Sequence, residues 1–305
     1  MLFVRDAGNQ NMFYRSRFMS IENVVSAPEH TSGVFHCDAA ITEQEPAKED
    51  QLPRLVRLFA NDGVHQAVSY VSPLFYSKPG KVDIAQLTLS ASTDSLPYVI
   101  GADWNAKVLP LMVVPSTWGG DARLVERTYE LAASVQHEAL RAFVHEVFGL
   151  KAVFFDFWTS TAGRKHHAWR GGLASHSVEV AEAVNRMMAR SRVPAPVFTE
   201  AECDLGRVAA LLHDIGKTVS YTADRRCTAR ALAVGHDYLG LELLQRPLDT
   251  LRQRDEAMAD ALTALLLSRT RYTHGPYRCE AIREVISIAD NASARRNLAG
   301  SPVRG

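Results

Sequence analysis

Four residues of this sequence have the types and spacing to do chemistry: His176 in "LASHS", the adjacent His213 and Asp214 in "LLHDIGK", and Asp290 in "VISIAD". Each falls on an apolar helical stripe. His176 aligns with Val180, Val184 and Met187, and His213 and Asp214 end a helix whose stripe is Leu205, Val208, Ala209 and Leu212. Asp290 continues the register Ile282, Ile286. A carboxylate on a core face is costly to bury unless it is paired or holds a cation. Neighbouring helical residues diverge by about 100°, yet at a helix end both His213 and Asp214 can reach one ion. Two imidazoles and two carboxylates form a mixed nitrogen and oxygen set. Such a set suits Mn, Fe, Co, Ni or Mg better than a closed structural zinc. Taken singly, each residue has a plainer reading. An inward His is usually a hydrogen-bonded core residue, and an inward Asp is usually a salt-bridge partner, with Arg283 and Arg295 available to Asp290. Their arrival together favours a shared cation.

Other polar residues gather around this set. "KHHAWRGGLASHS" places His166, His167 and Arg170 just ahead of His176, where Gly171 and Gly172 form a tight helix entry. The His pair reads either as a surface loop or as an extension of this polar set. Lys217 follows Asp214 by three residues; it is either a cation at a helix C-terminus or a point charge for an anionic group. His236 in "VGHDYLGLELL" and His274 in "RYTHGPYR" are further histidines that could extend the set. Arg269 and Arg271 then add positive charge beside the site.

The order His176, then His213-Asp214, then Asp290 resembles the H…HD…D signature of HD-domain metal-dependent phosphohydrolases, over roughly residues 165 to 298. The resemblance implies that these four residues hold one divalent metal, with manganese the leading choice and a second ion possible if His236 and His274 contribute. It further implies hydrolysis of a phosphate ester by a metal-activated water. Asp214, Lys217 and His167 are then the catalytic candidates, and His166, His167, Arg170, Lys217, Arg269 and Arg271 the substrate-binding ones. The "HHA-x-x-GGL-x-x-H" entry is similar to that of two HD families: the OB-fold plus HD-domain 3′-to-5′ exoribonucleases of the YhaM type, and the TraI-type HD relaxases of conjugative transfer. The first implies single-stranded RNA or DNA as partner. The alternatives are a relaxase-like role, a small-nucleotide phosphatase, and a binding protein that keeps a metal site without turnover.

The elements that must position these residues read as α+β, a small OB-like β-barrel followed by an all-α HD-domain helical bundle. Residues 1–53 read as an irregular arm or linker, with Pro, acidic and small residues lacking a period. Residues 54–120 read as the β domain: "VHQAVSYVSPLFY", "VDIAQLTLSAS", "LPYVIGADW" and "KVLPLMVV" are short strands between turn residues. Tyr70, Phe75, Tyr76, Tyr98 and Trp104 are candidate stacking platforms for unpaired bases, although each taken singly reads first as a core aromatic. Residues 121–305 read as helices: one over "DARLVERTYELAASVQHEALRAFVHEVFG", one over "LASHSVEVAEAVNRMMARS", one from a Thr199/Glu202 capping box to Gly216, and others at about 235–247, 254–268 and 279–298.

With 34 Lys and Arg balanced by 34 Asp and Glu, no global basic field advertises nucleic acid. The cysteines Cys37, Cys203, Cys227 and Cys279 form no C-x-x-C, which argues against a zinc ribbon or disulfide scaffold. No apolar run approaches the roughly 20 residues of a membrane span, and the N-terminal residues lack the core of a secretory leader. A cytoplasmic protein is expected, with a homo-oligomer possible and no membrane partner.

Overall fold

Short strands with small inward side chains build the N-terminal unit. The structure is a computed structural model that describes residues 33–43, 52–71, 80–90, 96–121, 123–163, 165–190, 197–222, 226–267 and 275–299. Two units divide the chain, Met1–Pro115 and Ser116–Gly305. In the first, β1 (Val34–Glu43), β2 (Arg54–Ala60), β3 (Gly63–Ser69), β4 (Asp83–Ser90) and β5 (Tyr98–Asp103) close a barrel in the order β1-β2-β3-β5-β4. All neighbours are antiparallel except β3 and β5, which meet in parallel through Val68 with Tyr98 and Ser69 with Val99.

Alternate residues point inward: Cys37, Ala39 and Ile41 of β1, Val56, Leu58 and Ala60 of β2, and Ala85, Leu87 and Leu89 of β4. A five-stranded barrel has a narrow interior, so alanines fill much of it. This explains a correction to the sequence reading. Val34–Glu43 lies in the expected irregular arm yet is a full barrel strand, because its central residues Cys37, Asp38, Ala39 and Ala40 carry little β signal. "KVLPLMVV" is not a strand; it holds a 3-10 turn at Pro110–Met112, since proline cannot donate to a ladder. The unit boundary therefore falls at Pro115/Ser116, and strand β1 moves into the barrel. Residues 1–32 and 44–51 of the expected arm lie outside the described residues, as do Phe75 and Tyr76.

Among the described residues the second unit has nine α-helices: α1 (Leu124–Ala133), α2 (Glu138–Phe148), α3 (Lys151–Asp156), α4 (Gly172–Arg190), α5 (Glu200–Leu212), α6 (Ala229–Val234), α7 (His236–Arg254), α8 (Glu256–Leu266) and α9 (Cys279–Ala299). The single helix expected at 121–149 is broken between α1 and α2. There the buried Asp204 accepts hydrogen bonds from the Gln136 and His137 backbone N–H groups at 2.7 and 2.8 Å, and His137 Nδ1 caps α2 by accepting from Leu140 N–H. A side chain from a distant helix thus ends α1, and no local period could show it. Thr199 and Glu202 form the expected reciprocal capping box on α5. Helix α7 runs on through Pro247, past the end expected near residue 247. Packing brings α4 against α5 and α9, and α7 against the 3-10 turn Ile215–Thr218 that follows α5. No helix of the described residues is long and apolar enough to cross a membrane.

Candidate metal centre

Three helices carry the four signature residues to one place. His176 lies in the second turn of α4, His213 caps the C-terminus of α5, Asp214 begins the turn after it, and Asp290 lies in α9. His176 Nε2 is 3.0 Å from Asp290 Oδ1 and 3.6 Å from Asp214 Oδ2. His213 Nε2 is 3.5 Å from Asp214 Oδ2 and 4.0 Å from Asp290 Oδ1. Arg283, the salt-bridge partner first considered for Asp290, instead binds Glu280 and the Ala264 carbonyl. Gly216 lets this turn approach α7, because a Cβ there would stand 1.9 Å from the His236 carbonyl oxygen.

The histidine protons follow from their second nitrogens. His213 Nδ1 is 2.7 Å from the Ala210 carbonyl, which can only accept, so Nδ1 carries the proton and Nε2 a lone pair. His176 Nδ1 lies 3.2 Å from Ser293 Oγ. The Nε2 atoms of both residues are buried and make no well-aligned hydrogen bond, despite carboxylate oxygens close by. Lone pairs and anionic oxygens that crowd together without hydrogen-bonding are the donor set a hard or borderline cation requires. The ligand atoms of His176, His213 and Asp290 all lie within 4.8 Å of one another. The residues fit a divalent metal.

Electrostatics keep these groups in ligand form. Burial is the largest influence on His176 and lowers its pKa despite the carboxylates, so the imidazole is neutral near pH 7. Burial alone would raise Asp214, but His213, His236 and Lys217 together hold its carboxyl well below the usual range. Asp214 is braced on both oxygens: His236 Nε2 is 3.1 Å from Oδ1, and Lys217 Nζ is 2.6 Å from Oδ2.

The segment before α4 adds a second group of imidazoles. His167 is fully buried at φ 46°, a conformation uncommon outside glycine, and its Nε2 lies 3.3 Å from Glu179 Oε1. Gly172 permits this fold of the chain, since a Cβ would stand 2.0 Å from the His167 carbonyl oxygen. The His166 and His167 rings are 5.3 and 4.9 Å from that of His176. His167 was expected to touch substrate, but it has no exposed surface. His166 is half-buried where His167 is fully buried, so of the pair it is the one with access.

The structure therefore gathers His166, His167, His176, His213, Asp214, Lys217, His236 and Asp290. Arg170 is exposed at the head of α4. Arg269, Arg271 and His274 lie outside the described residues. Sequence reasoning missed Glu179 and Ser293. Glu179 Oε2 accepts from Ser293 Oγ–H at 2.7 Å, beneath His176. Burial would raise the Glu179 carboxyl, but hydrogen bonds from His167 and Ser293 bring it below its usual range. A signal was present: Glu179 stands three residues after His176 and Ser293 three after Asp290, on the same helical faces. The cysteines take no part. Cys37, in the barrel interior, has its thiol pushed up to about 12 by burial, and its neighbour His36 faces the other side of β1 toward Thr88.

Residues 173–294 match the family model described as HD domain. The match contains all four signature residues and supports a metal-dependent phosphohydrolase; the His166-His167 loop and the barrel lie upstream of it. No curated protein and no solved structure matches the chain.

Proposed function

We infer that this protein is a metal-dependent phosphodiesterase of single-stranded nucleic acid, acting as a 3′-to-5′ exonuclease. One observation carries the hydrolytic part: the convergence of His176 and His213 Nε2 with the Asp214 and Asp290 carboxylates, each imidazole nitrogen buried without an aligned hydrogen bond. These four residues would hold a divalent ion, with manganese the first choice. Bound there, such an ion supplies Lewis acidity to a phosphoryl oxygen and acidifies a water. Asp214 orients and neutralises; its depressed pKa makes it a poor proton acceptor. Lys217 keeps Asp214 ionised and retains further N–H donors for a phosphoryl oxygen. His166, kept neutral chiefly by burial, is placed to donate a hydrogen bond to the phosphate.

The barrel supports the choice of nucleic acid. Its strand order is that expected of an OB barrel, whose β2–β3 face binds oligonucleotides. The outer side of β2 and β3 exposes Leu55, Arg57 and Val64, and Tyr70 beside it is 50 % exposed, with its ring 6.0 Å from that of Tyr98. A pair of accessible aromatics next to apolar and basic groups suits stacked, unpaired bases.

The test is a metal-loaded full chain incubated with end-labelled single-stranded RNA and DNA, alongside His213→Ala and Asp214→Ala. A ladder of 3′-shortened products, absent in both variants, is expected. Phosphate release from mononucleotides alone would make the protein a nucleotide phosphatase, and relaxation of supercoiled plasmid alone a relaxase. Strand binding without turnover in the parent would leave a binding protein.

A further inference from the structure

We propose that Glu179 and Ser293 are positioning residues that fix the tautomer of His176, and that Glu179 at the same time anchors His167. The proposal deepens the metal reading and rests on it for its consequence, though not for its geometry. Ser293 has one hydroxyl proton and gives it to Glu179 Oε2 at 2.7 Å. Its oxygen therefore meets His176 Nδ1, 3.2 Å away, as an acceptor, which puts the imidazole proton on Nδ1. Nε2 is left with its lone pair, aimed at Asp290 and Asp214. The other Glu179 oxygen, 3.3 Å from His167 Nε2, holds the second ring from the same carboxylate. Ser293 is fully buried and His176 is 1 % exposed, so water cannot substitute for either partner. His213 obtains the same tautomer from a backbone carbonyl. His176 sits inside its helix, where the neighbouring carbonyls are committed to the ladder, and it needs side chains to do the equivalent.

The tautomer is read directly by nitrogen-15 NMR of histidine-labelled, metal-free full chain, with the His176 signals identified by their loss in His176→Gln. The parent should show His176 protonated on Nδ1. In Ser293→Ala the acceptor is gone, and the Nε2-protonated form should appear. Calorimetric titration with Mn²⁺ alone should then show affinity weakened by about 10- to 100-fold in Ser293→Ala and Glu179→Ala. Ser293→Thr, which keeps the hydroxyl, should restore it to within a few-fold, a rescue that loss of packing alone would not produce. Thermal melts identify any variant that fails to fold. A parent with His176 protonated on Nε2 overturns the proposal, as does a folded Ser293→Ala with parental tautomer and affinity. A parent that shows the Nδ1 proton but binds no Mn²⁺ refutes the metal reading and upholds the relay.

Discussion

The barrel and the helical unit differ in what they bury. Inside the barrel the side chains are apolar and mostly small, and among the described residues of this unit the buried charged side chain is Arg54, paired with Glu43. The helical unit buries His167, His176, Glu202, Asp204, Arg207 and Asp214. These buried polar groups are of two kinds. Asp204 is saturated by two backbone N–H groups and by Arg207, which reaches it at 2.9 Å. Glu202 is likewise engaged by Thr199 and Arg278. At the candidate metal centre, by contrast, imidazole nitrogens face carboxylates with no aligned donor between them. Burial of charge thus marks either a brace or a site, and unsatisfied imidazole nitrogens beside the carboxylates mark the site.

That distinction breaks or holds under substitution. Asp204→Ala removes the partner of a buried arginine and of two backbone donors. It should cost about 3–5 kcal/mol in urea unfolding while leaving Mn²⁺ affinity of the folded protein unchanged. Asp214→Asn should do the reverse. It removes a ligand charge, so Mn²⁺ binding by calorimetry should fall by more than the about 100-fold upper range for outer partners. Equal effects of both on metal binding would erase the contrast between brace and site. On the barrel, Tyr70→Ala should shift stability by no more than about 0.5 kcal/mol, because the ring is half exposed. It should nevertheless weaken binding of a single-stranded oligonucleotide by about 1–3 kcal/mol, measured by fluorescence anisotropy.

The smallest effect expected is one of pH. Burial alone would raise the Glu202 carboxyl, but Arg278 and the Thr199 and Arg278 backbone groups lower it from 4.5 to about 2. A carboxyl whose pKa is lower folded than unfolded stabilises the fold fully above its unfolded value and loses that contribution as pH falls toward its folded one. The stability advantage of the parent over Glu202→Gln should therefore narrow as pH drops from about 4.5 toward 2, tracked by urea midpoints. A gap that stays constant through this window would show that Glu202 is not the anionic brace.

Much of the site is legible in the sequence. His176, His213, Asp214 and Asp290 each interrupt an apolar helical stripe, and a polar residue on such a stripe is conspicuous because burying it is expensive. Glu179 and Ser293 obey the same periodicity but were overlooked, since a single Glu or Ser near a helix is ordinary until a partner from another helix is seen. The break between α1 and α2 was hidden for a like reason, as the residue that causes it, Asp204, is some seventy positions away. Strand β1 was lost because alanine and cysteine carry little β signal, although they suit a narrow barrel.

Local order therefore resides in the chain's own periodicities: helix registers, the Thr199–Glu202 cap, and the glycines at Gly172 and Gly216 that admit close backbone approach. Which polar residues meet was settled only when α4, α5 and α9 packed together. A side chain's partner depends on distances between segments remote in sequence, and periodicity within one segment carries no information about them. Protonation belongs to the same class: the proton on His176 is placed by a serine 117 positions away, and with it the direction of the lone pair on which metal binding would depend.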